Sequence, residues 1–255
     1  SLQSAQEKLN IAREVQKGML PSEAAPMPGF DVAGVSRPAD VMGGDFFDYM
    51  SLGDGEWAIL VADVSGHDIG ASALMAQSRA FLRATAHATS DPGVALTTAN
   101  RFVCDDVKEH RFCSVLYAAI NPTRRRIRYA GAGHNAWIVD SGNEAVELPN
   151  TGPALGMIPG VRIPCGNEFE LRPGSALVVV TDGIFEAESL GGVPFGVDRL
   201  LDAVRAHRQR PASEIVEAIL SAVAQHTGHS PQNDDLTVVA VPSLPNQDSI
   251  EREKR

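Results

Sequence analysis

The sequence has few cysteines and no long hydrophobic run. Only three cysteines occur in 255 residues, Cys104, Cys113 and Cys165, and none forms a Cys-x-x-Cys pair. The odd count and the spacing argue against a disulfide framework and against a zinc site built from thiolates. No apolar run reaches the ~20 residues that span a bilayer, and the charged N-terminus lacks the hydrophobic region of a signal peptide. We therefore expect a cytoplasmic protein with reduced thiols and no membrane span.

The sequence also lacks an excess of positive charge. Lysine and arginine number 22 against 32 aspartates and glutamates, which gives a formal net charge of -10. A chain with this balance is not expected to bind nucleic acid or an anionic membrane surface. Hydrophobic residues at 44% and charged residues at 21% are typical of a soluble globular protein with a sizeable core. The acidic surplus is compatible with cation binding, although solvated surface carboxylates are its commoner cause.

Residues 2–20 are predicted to form one helix that ends at Pro21. Within it, residues recur at the spacing of a coiled-coil seam, namely Leu2, Ala5, Leu9, Ala12, Gln16 and Met19. The stretch is short, so the pattern fits a helix docked on its own domain as well as a homodimer or a contact with an upstream sensor domain. The chain begins in this helix without methionine, as we expect of a fragment of a longer protein. We assign residues 1–21 to a helical regulatory linker.

The remainder alternates short apolar strands with helices. Strands are predicted at 57–62, 113–120, 126–130, 136–140, 176–181 and 236–241, and helices at 72–88, 91–109 and 211–226. Pro122-Thr123 separates two of these strands as in a hairpin, so neighbouring strands are expected to be antiparallel. Strands in runs, with helices paired between them, favour an α+β fold. We place the main domain at 22–242 and a polar tail at 243–255.

Four aspartates share a sequence context. Asp63 and Asp182 end predicted strands, Asp234 begins the last strand, and Asp45 follows two glycines. Burying several carboxylates together would be prohibitive without a counter-ion. Mg²⁺ and Mn²⁺ prefer carboxylate, carbonyl and water oxygens. Each motif alone also fits a simple turn, but their joint occurrence predicts a site for hard divalent cations.

The aspartates lie within a longer series of motifs. The segments are VMGGDFFDY (41–49), VADVSGHDIGASALMA (61–76), YAGAGHNAWIV (129–139), LGMIPG (155–160), LRPGSALVVVTDGIFEA (171–187) and NDDLTVVAV (233–241). In this order they resemble the metal-dependent PPM family, the protein phosphatase 2C-like serine/threonine phosphatases, in its bacterial SpoIIE/RsbU-like branch. The resemblance covers most of residues 30–241. The fold it implies is the α-β-β-α sandwich, with two mostly antiparallel sheets flanked by helices.

The resemblance also implies a metal site. Two Mn²⁺ or Mg²⁺ ions are expected to be held by Asp45, Asp63, Asp182, Asp234 and the backbone carbonyl of Val64. Asp63 is expected to bridge the two ions, and Asp63 and Asp182 are expected to be essential for catalysis. The implied reaction is attack on phosphorus by a water that the ions activate, without a protein nucleophile.

Five further residues lie in or near these motifs but outside the predicted ligand set. His67 is a candidate proton donor because histidine titrates near neutral pH, but its spacing from Asp63 differs from the family pattern, and orienting the start of a helix is the alternative. Asp235 becomes the ligand in place of Asp234 if the register differs by one residue. Asp48 is expected to support the site or the fold, and His134 to hold a turn. Arg37 is left without a role.

The resemblance further implies the substrate class. We expect a phosphoserine or phosphothreonine on an anti-sigma-factor antagonist of the STAS type, as in bacterial sigma-factor regulation during stress response. One alternative is a catalytically silent, phosphatase-like module that binds partners, which the presence of all four aspartates disfavours. The other is a diguanylate cyclase, because residues 43–47 superficially resemble its motif. Phe46 stands where the cyclase has an acidic residue.

Overall fold

The computed structural model describes residues 2–66, 68–107, 111–228 and 230–245. These ranges form an α-β-β-α sandwich, which confirms the predicted fold class. The helices are α1 (Leu2–Lys17), α2 (Ile69–Ala88), α3 (Pro92–Asp106), α4 (Asp182–Phe185), α5 (Gly196–His207) and α6 (Ala212–His226). The strands are β1 (Ala33–Arg37), β2 (Phe46–Gly53), β3 (Glu56–Val64), β4 (Cys113–Asn121), β5 (Arg126–Ala132), β6 (Ala136–Val139), β7 (Ala145–Leu148), β8 (Phe169–Glu170), β9 (Ala176–Val180) and β10 (Leu236–Pro242).

Each sheet has five strands, and neighbouring strands in both sheets are antiparallel. The first sheet has the order β1-β10-β9-β6-β7, and the second has the order β2-β3-β4-β5-β8. One apolar cluster fills the space between the sheets. A second lies between the second sheet and helices α2 and α3, and a third between the first sheet and helices α5 and α6. The central strands are therefore buried on both faces, which explains their nearly continuous apolar sequences.

Two helices begin at aspartates that cap them. The side chain of Asp68 accepts a hydrogen bond of 2.9 Å from the amide of Ala71 at the start of α2, and Asp91 accepts one of the same length from Val94 at the start of α3. These bonds satisfy amides that have no partner within the helix. No helix in the described ranges combines the length and the apolarity needed to cross a membrane.

The structure differs from the sequence predictions at several places. The predictions lack strands β1, β2, β7 and β8 and the short helix α4, and α2 begins at Ile69 instead of residue 72. Helix α1 ends at Lys17, before the predicted end at residue 20, and helix α5 is absent from the predictions. Ser243, the first residue of the predicted polar tail, is buried. Its hydroxyl accepts a hydrogen bond from Arg125 and donates one to the carbonyl of Leu171, so this residue belongs to the packed domain. Most of the predicted tail, residues 246–255, lies outside the described residues.

Asp48 fastens helix α2 to the second sheet. It lies on β2 with its side chain 2% exposed, and one of its carboxylate oxygens is 2.8 Å from Arg79 and 2.6 Å from Arg83. The two arginines are one turn apart on α2. A buried carboxylate is tolerated when charged donors satisfy it in this way. Asp48 therefore has a structural role.

We predict that Asp48→Ala lowers the free energy of unfolding by about 2–3 kcal/mol, because Arg79 is largely buried and loses its counter-charge. Urea denaturation in the presence of EDTA measures this without interference from bound metal. The matched control is Asp202→Ala, which removes an exposed ion pair with Arg205 and should cost less than about 1 kcal/mol. Equal losses in the two variants would contradict the structural role of Asp48.

Candidate metal centre

The four predicted aspartates come together at one end of the sandwich. Asp45 immediately precedes β2, Asp63 lies near the end of β3, Asp182 begins α4 directly after β9, and Asp234 lies two residues before β10. The antiparallel pairing of β2 with β3 and of β9 with β10 brings these strand ends to the same edge of each sheet. The facing sheets then place the two pairs opposite each other, so segments far apart in sequence form one acidic cluster.

The charges in this cluster oppose one another. Burial, together with the charges of Asp182 and Asp234, raises the pKa of Asp63 from the ordinary 3.8 to about 7. Burial also raises the pKa of Asp45, with a contribution from the charge of Asp63, and the pKa of Asp182, with a contribution from Asp234. Carboxylates with raised pKa values are those that gain most from a nearby cation.

The backbone of Val64 completes the set of oxygen donors. A Cβ atom on Gly44 would lie 2.5 Å from the carbonyl oxygen of Val64, so only glycine lets the backbone before Asp45 pass this close to that oxygen. Gly183 likewise lacks a Cβ where the backbone of Asp235 passes, which lets the Asp182 and Asp234 segments lie side by side. Carboxylate and carbonyl oxygens in a crowded acidic site fit Mg²⁺ or Mn²⁺.

The side chains do not form a closed cage. Among the described residues, no three His, Cys, Asp or Glu side chains are arranged to hold an ion by themselves. This arrangement is compatible with Mg²⁺, which usually keeps several waters and takes only one or two carboxylates from the protein. The assignment of Asp45, Asp63, Val64, Asp182 and Asp234 as ligands stays a prediction.

Asp235 holds the loop that carries Asp45. Its side chain is buried, and its two carboxylate oxygens accept hydrogen bonds of 2.8 Å from the amide of Ala39, 2.7 Å from Gly44 and 3.3 Å from Asp45. A carboxylate satisfied by three backbone amides serves as a structural clamp. This placement favours Asp234, which is exposed to solvent, as the ligand candidate of the pair.

Thr181 orients Asp45 from the opposite sheet. Its buried hydroxyl donates a 2.7 Å hydrogen bond to the Asp45 carboxylate and accepts one of 3.1 Å from the amide of Thr237. The donor and the acceptor capacity of this hydroxyl are therefore both used. This contact joins the start of β2 to the end of β9 and the start of β10.

His134 connects the two sheets beside the acidic cluster. Its Nε2 lies 3.0 Å from the carbonyl of Val180 on β9, and its Nδ1 lies 2.9 Å from the hydroxyl of Ser114 on β4. Because a carbonyl can only accept, Nε2 carries the proton and Nδ1 accepts from Ser114. Burial lowers the pKa of His134 to about 4, so the ring is neutral near pH 7. Ser114 pairs directly with Asp63 in the sheet, and Val180 lies two residues before Asp182, so His134 connects the strands that carry these aspartates.

Gln16 connects helix α1 to the same site. Its side-chain amide donates a 2.7 Å hydrogen bond to the carbonyl of Gly43 and accepts one of 3.1 Å from the Gly43 amide. Ser72 on α2 donates a further bond of 3.2 Å to the Gly43 carbonyl. Gln16 is the buried polar residue of an otherwise exposed helix. The loop before Asp45 is thus held by two helices as well as by Asp235.

The other candidates are placed less directly. His67 lies outside the described residues, so its role as proton donor stays a prediction. Arg37 ends β1 and lies 3.5 Å from Glu217 on α6. Asp68, besides capping α2, receives two hydrogen bonds from Arg111, at 2.9 and 2.8 Å, and this guanidinium lowers the pKa of Asp68.

Two cavities open on either side of the acidic cluster. One, of about 510 Å³, contains Asp63 and Asp182 and is walled by Asn135, Asn150 and Trp137. The other, of about 550 Å³, contains Asp234 and lies against α6. Helix α4 separates them, because Phe185 lines the first cavity and Gly183 lines the second. A larger cavity of about 900 Å³ lies between α5 and α6, and its lining includes none of the four aspartates.

The sequence profile described as Stage II sporulation protein E (SpoIIE) matches residues 53–242. The chain belongs to the SpoIIE family. Its sequence is 24% identical over 240 residues to the phosphoserine phosphatase RsbP of Bacillus subtilis (strain 168), an alignment that covers 91% of this chain and 57% of RsbP. This SpoIIE-family chain spans 41%, 57% and 71% of the length of three curated relatives that it matches.

Solved structures agree with this membership. The SiaA-PP2C domain of Pseudomonas aeruginosa has a TM-score of 0.83 and 25% identity, with 94% of this chain and 97% of that domain covered. The catalytic domain of the serine/threonine protein phosphatase PstP, solved with two manganese ions, shares the fold, with a TM-score of 0.63, 14% identity and coverage of 85% and 99%. The SpoIIE family match favours the phosphatase over the diguanylate cyclase.

We predict that ionisation of Asp63 destabilises the metal-free protein as pH rises from about 4 to 7. Because the pKa of Asp63 is higher in the folded state than its ordinary 3.8, this carboxylate binds more protons in the folded protein across this range, and its contribution to stability falls as they leave. His134, with its lowered pKa, contributes in the opposite direction, so the effect of Asp63 is read as the difference between wild type and Asp63→Asn. Asp63→Asn removes this charge and should stabilise the EDTA-treated protein by up to about 4 kcal/mol near pH 8. Urea denaturation at both ends of the range measures the effect.

The control for Asp63→Asn is a carboxylate that is exposed to solvent and lies away from the acidic cluster. Asp202→Asn changes charge by the same amount on the exposed surface of α5 and should leave the pH dependence unaltered. An Asp63→Asn variant that is no more stable than wild type near pH 8 would mean that the carboxylates do not repel one another in the metal-free protein.

Proposed function

We propose that this chain is a PPM-type serine/threonine phosphatase that hydrolyses phosphoserine or phosphothreonine on a regulatory protein with the help of two divalent cations, Mn²⁺ or Mg²⁺. The observation that carries the proposal is the meeting of Asp45, Asp63, Asp182 and Asp234 at one end of the sandwich, with raised pKa values at the first three. SpoIIE family membership and the name of RsbP support the reaction class.

The side chains of the site divide the work. Asp63 and Asp182 line the cavity of about 510 Å³, where a phosphoryl group has room to approach. Bound by the four aspartates and the Val64 carbonyl, the cations would lower the pKa of a water and neutralise charge on the phosphoryl oxygens. Asp235, Thr181 and His134 hold the aspartates in position, since each bonds to a segment that carries one of them. His67 remains our candidate for protonating the leaving alkoxide.

The substrate of the proposed phosphatase is a regulatory protein of a specific class. We infer an anti-sigma-factor antagonist of the STAS type, from the resemblance to the RsbU-like branch. RsbP is named a phosphoserine phosphatase, which supports phosphoserine as the reacting group. The rival is a catalytically silent module that binds the same partner, and turnover separates the two.

Hydrolysis of p-nitrophenyl phosphate should require Mn²⁺ or Mg²⁺. Asp63→Asn and Asp182→Asn should each lower kcat by about two orders of magnitude or more, because cation binding depends on these carboxylates. Circular dichroism checks that both variants stay folded, and Asp202→Asn serves as the charge control. Well-folded wild type without turnover in either metal would favour the binding module.

We further propose that residues 2–20 transmit a signal to the metal site. The clasp between Gln16 and Gly43 supports this, because it connects the helix directly to the loop that carries Asp45. Exposed apolar residues on α1, Ile11 at 66% and Val15 at 57%, offer a surface for an upstream domain or a second copy. A partner that moves α1 would then alter how the loop is held.

We predict that Gln16→Ala raises the Mn²⁺ concentration for half-maximal activity by about fivefold or more, because two buried hydrogen bonds to the loop are lost. The control is Gln6→Ala on the same helix, where the amide contacts only Asn10 on the surface. Titration of activity with Mn²⁺ measures the metal dependence, and light scattering measures the mass in solution. Unchanged metal dependence in Gln16→Ala, with unchanged kinetics and mass after deletion of residues 1–20, would remove the transmission hypothesis.

A further inference from the structure

The cavity of about 550 Å³ beside Asp234 has a defined construction. Its wall on one side is the segment from Ser230 to Leu236, and on the other side it is helix α6. Leu220 and Val223, both buried on α6, provide an apolar floor together with Leu236. Asp234 and Gly183 lie at its edge, so the cavity is continuous with the acidic cluster.

Hydrogen bonds fix the shape of this cavity. The side-chain amide of Gln232 donates to the carbonyls of Arg37, at 2.6 Å, and Asp234, at 2.7 Å, which pins the wall to the end of β1. Outside the cavity, Nε2 of His226 lies 2.8 Å from the carbonyl of Val193 and ties the 188–194 loop, which begins at the lining residue Glu188, to α6. The cavity is therefore preformed, as recognition sites usually are.

The rim of the cavity carries unbalanced negative charge. Glu186 and Glu188 line it and are exposed, and neither forms an ion pair with another residue of the described ranges. Glu186 lies close enough to Asp182 for its charge to raise the pKa of that aspartate. Among the described residues of the lining, the one cation is Arg37, which already lies 3.5 Å from Glu217. If metal ions neutralise Asp234, these two glutamates still favour the binding of a positively charged group.

Exposed apolar side chains extend the surface beyond the rim. Leu190 is 85% exposed and Val193 51% exposed on the loop between α4 and α5. Leu190 lies over the end of α6, since a Cβ atom on Gly228 would be 3.4 Å from its side chain. Apolar residues beside a polar cavity are typical of a surface that contacts a polypeptide.

We propose that this cavity binds the residues that flank the phosphorylated serine or threonine of the substrate, and that it selects a lysine or arginine side chain through Glu186 and Glu188. The inference rests on the proposed phosphatase function and names a determinant of its specificity. A polypeptide whose phosphoryl group reaches Asp63 and Asp182 passes helix α4, and its neighbouring residues then enter this cavity. The apolar floor accepts the aliphatic part of the basic side chain.

Paired phosphoserine peptides test the proposal. Each pair is identical except for one flanking position, which holds lysine in one member and glutamate in the other, and the position is moved along the peptide. For wild type with Mn²⁺, kcat/KM should favour lysine over glutamate by about twofold to fivefold at one position or two adjacent ones, as expected for an exposed charge pair. Glu188→Lys should abolish or reverse this ratio, and the rate with p-nitrophenyl phosphate is the reference for each variant.

The control is Glu144→Lys, which makes the same charge change in the exposed β6–β7 turn and should keep the wild-type ratio. A wild-type ratio near one at every position, or a lysine preference that survives in Glu188→Lys, would overturn the inference. Fluorescence anisotropy of labelled peptides separates this result from a failure of the proposed function. Preferential binding without any turnover supports the subsite and refutes catalysis, whereas hydrolysis of p-nitrophenyl phosphate without binding or hydrolysis of any peptide refutes both the protein substrate and the subsite.

Discussion

Mutual repulsion among carboxylates is the constraint on which this structure depends. Asp45, Asp63 and Asp182 are held close enough for burial and neighbouring charge to raise all three pKa values. Such an arrangement is unfavourable in the absence of cations, so it persists only because the surrounding fold stabilises it. Asp235 contributes to this stabilisation: its charge adds to the repulsion at Asp45 and Asp63, but its carboxylate also accepts backbone amides and so holds the loop that carries Asp45.

The two sheets are locked together at the point where the repulsion is strongest. Thr181 joins the end of β9 to Asp45, and His134 joins β4 to β9. A histidine held neutral by burial suits this position, because a charged ring would have attracted the carboxylates and competed with metal. Hydrogen bonds from uncharged donors between the strands therefore position the segments that carry Asp63 and Asp182.

The sequence was informative about the acids and uninformative about what holds them. Strand-end position, glycine neighbours and motif order predicted Asp45, Asp63, Asp182 and Asp234, and these residues do meet. The clamp role of Asp235 and the inter-sheet role of His134 could not be read from the sequence, because their partners lie 191 and 46 residues away and leave no periodic pattern. Helix α5 is a different case, because Leu200, Leu201 and Val204 lie on one helical face and give the sequence a local signal for this helix.

The position of helix α1 follows from the same constraint. The loop before Asp45 is held by Asp235, by Ser72 and by Gln16, and only the last of these lies on a helix that is otherwise exposed. Two buried hydrogen bonds contribute about 1–3 kcal/mol, which corresponds to a change of about fivefold to a hundredfold in an equilibrium. A shift of α1 that weakens the Gln16 bonds would thus lower the affinity of the site for cations. The hydrogen bonds to Asp235 would still hold the loop in place. The loop that carries Asp45 is therefore the part of the described site that α1 can control, because Gln16 of that helix bonds to it directly.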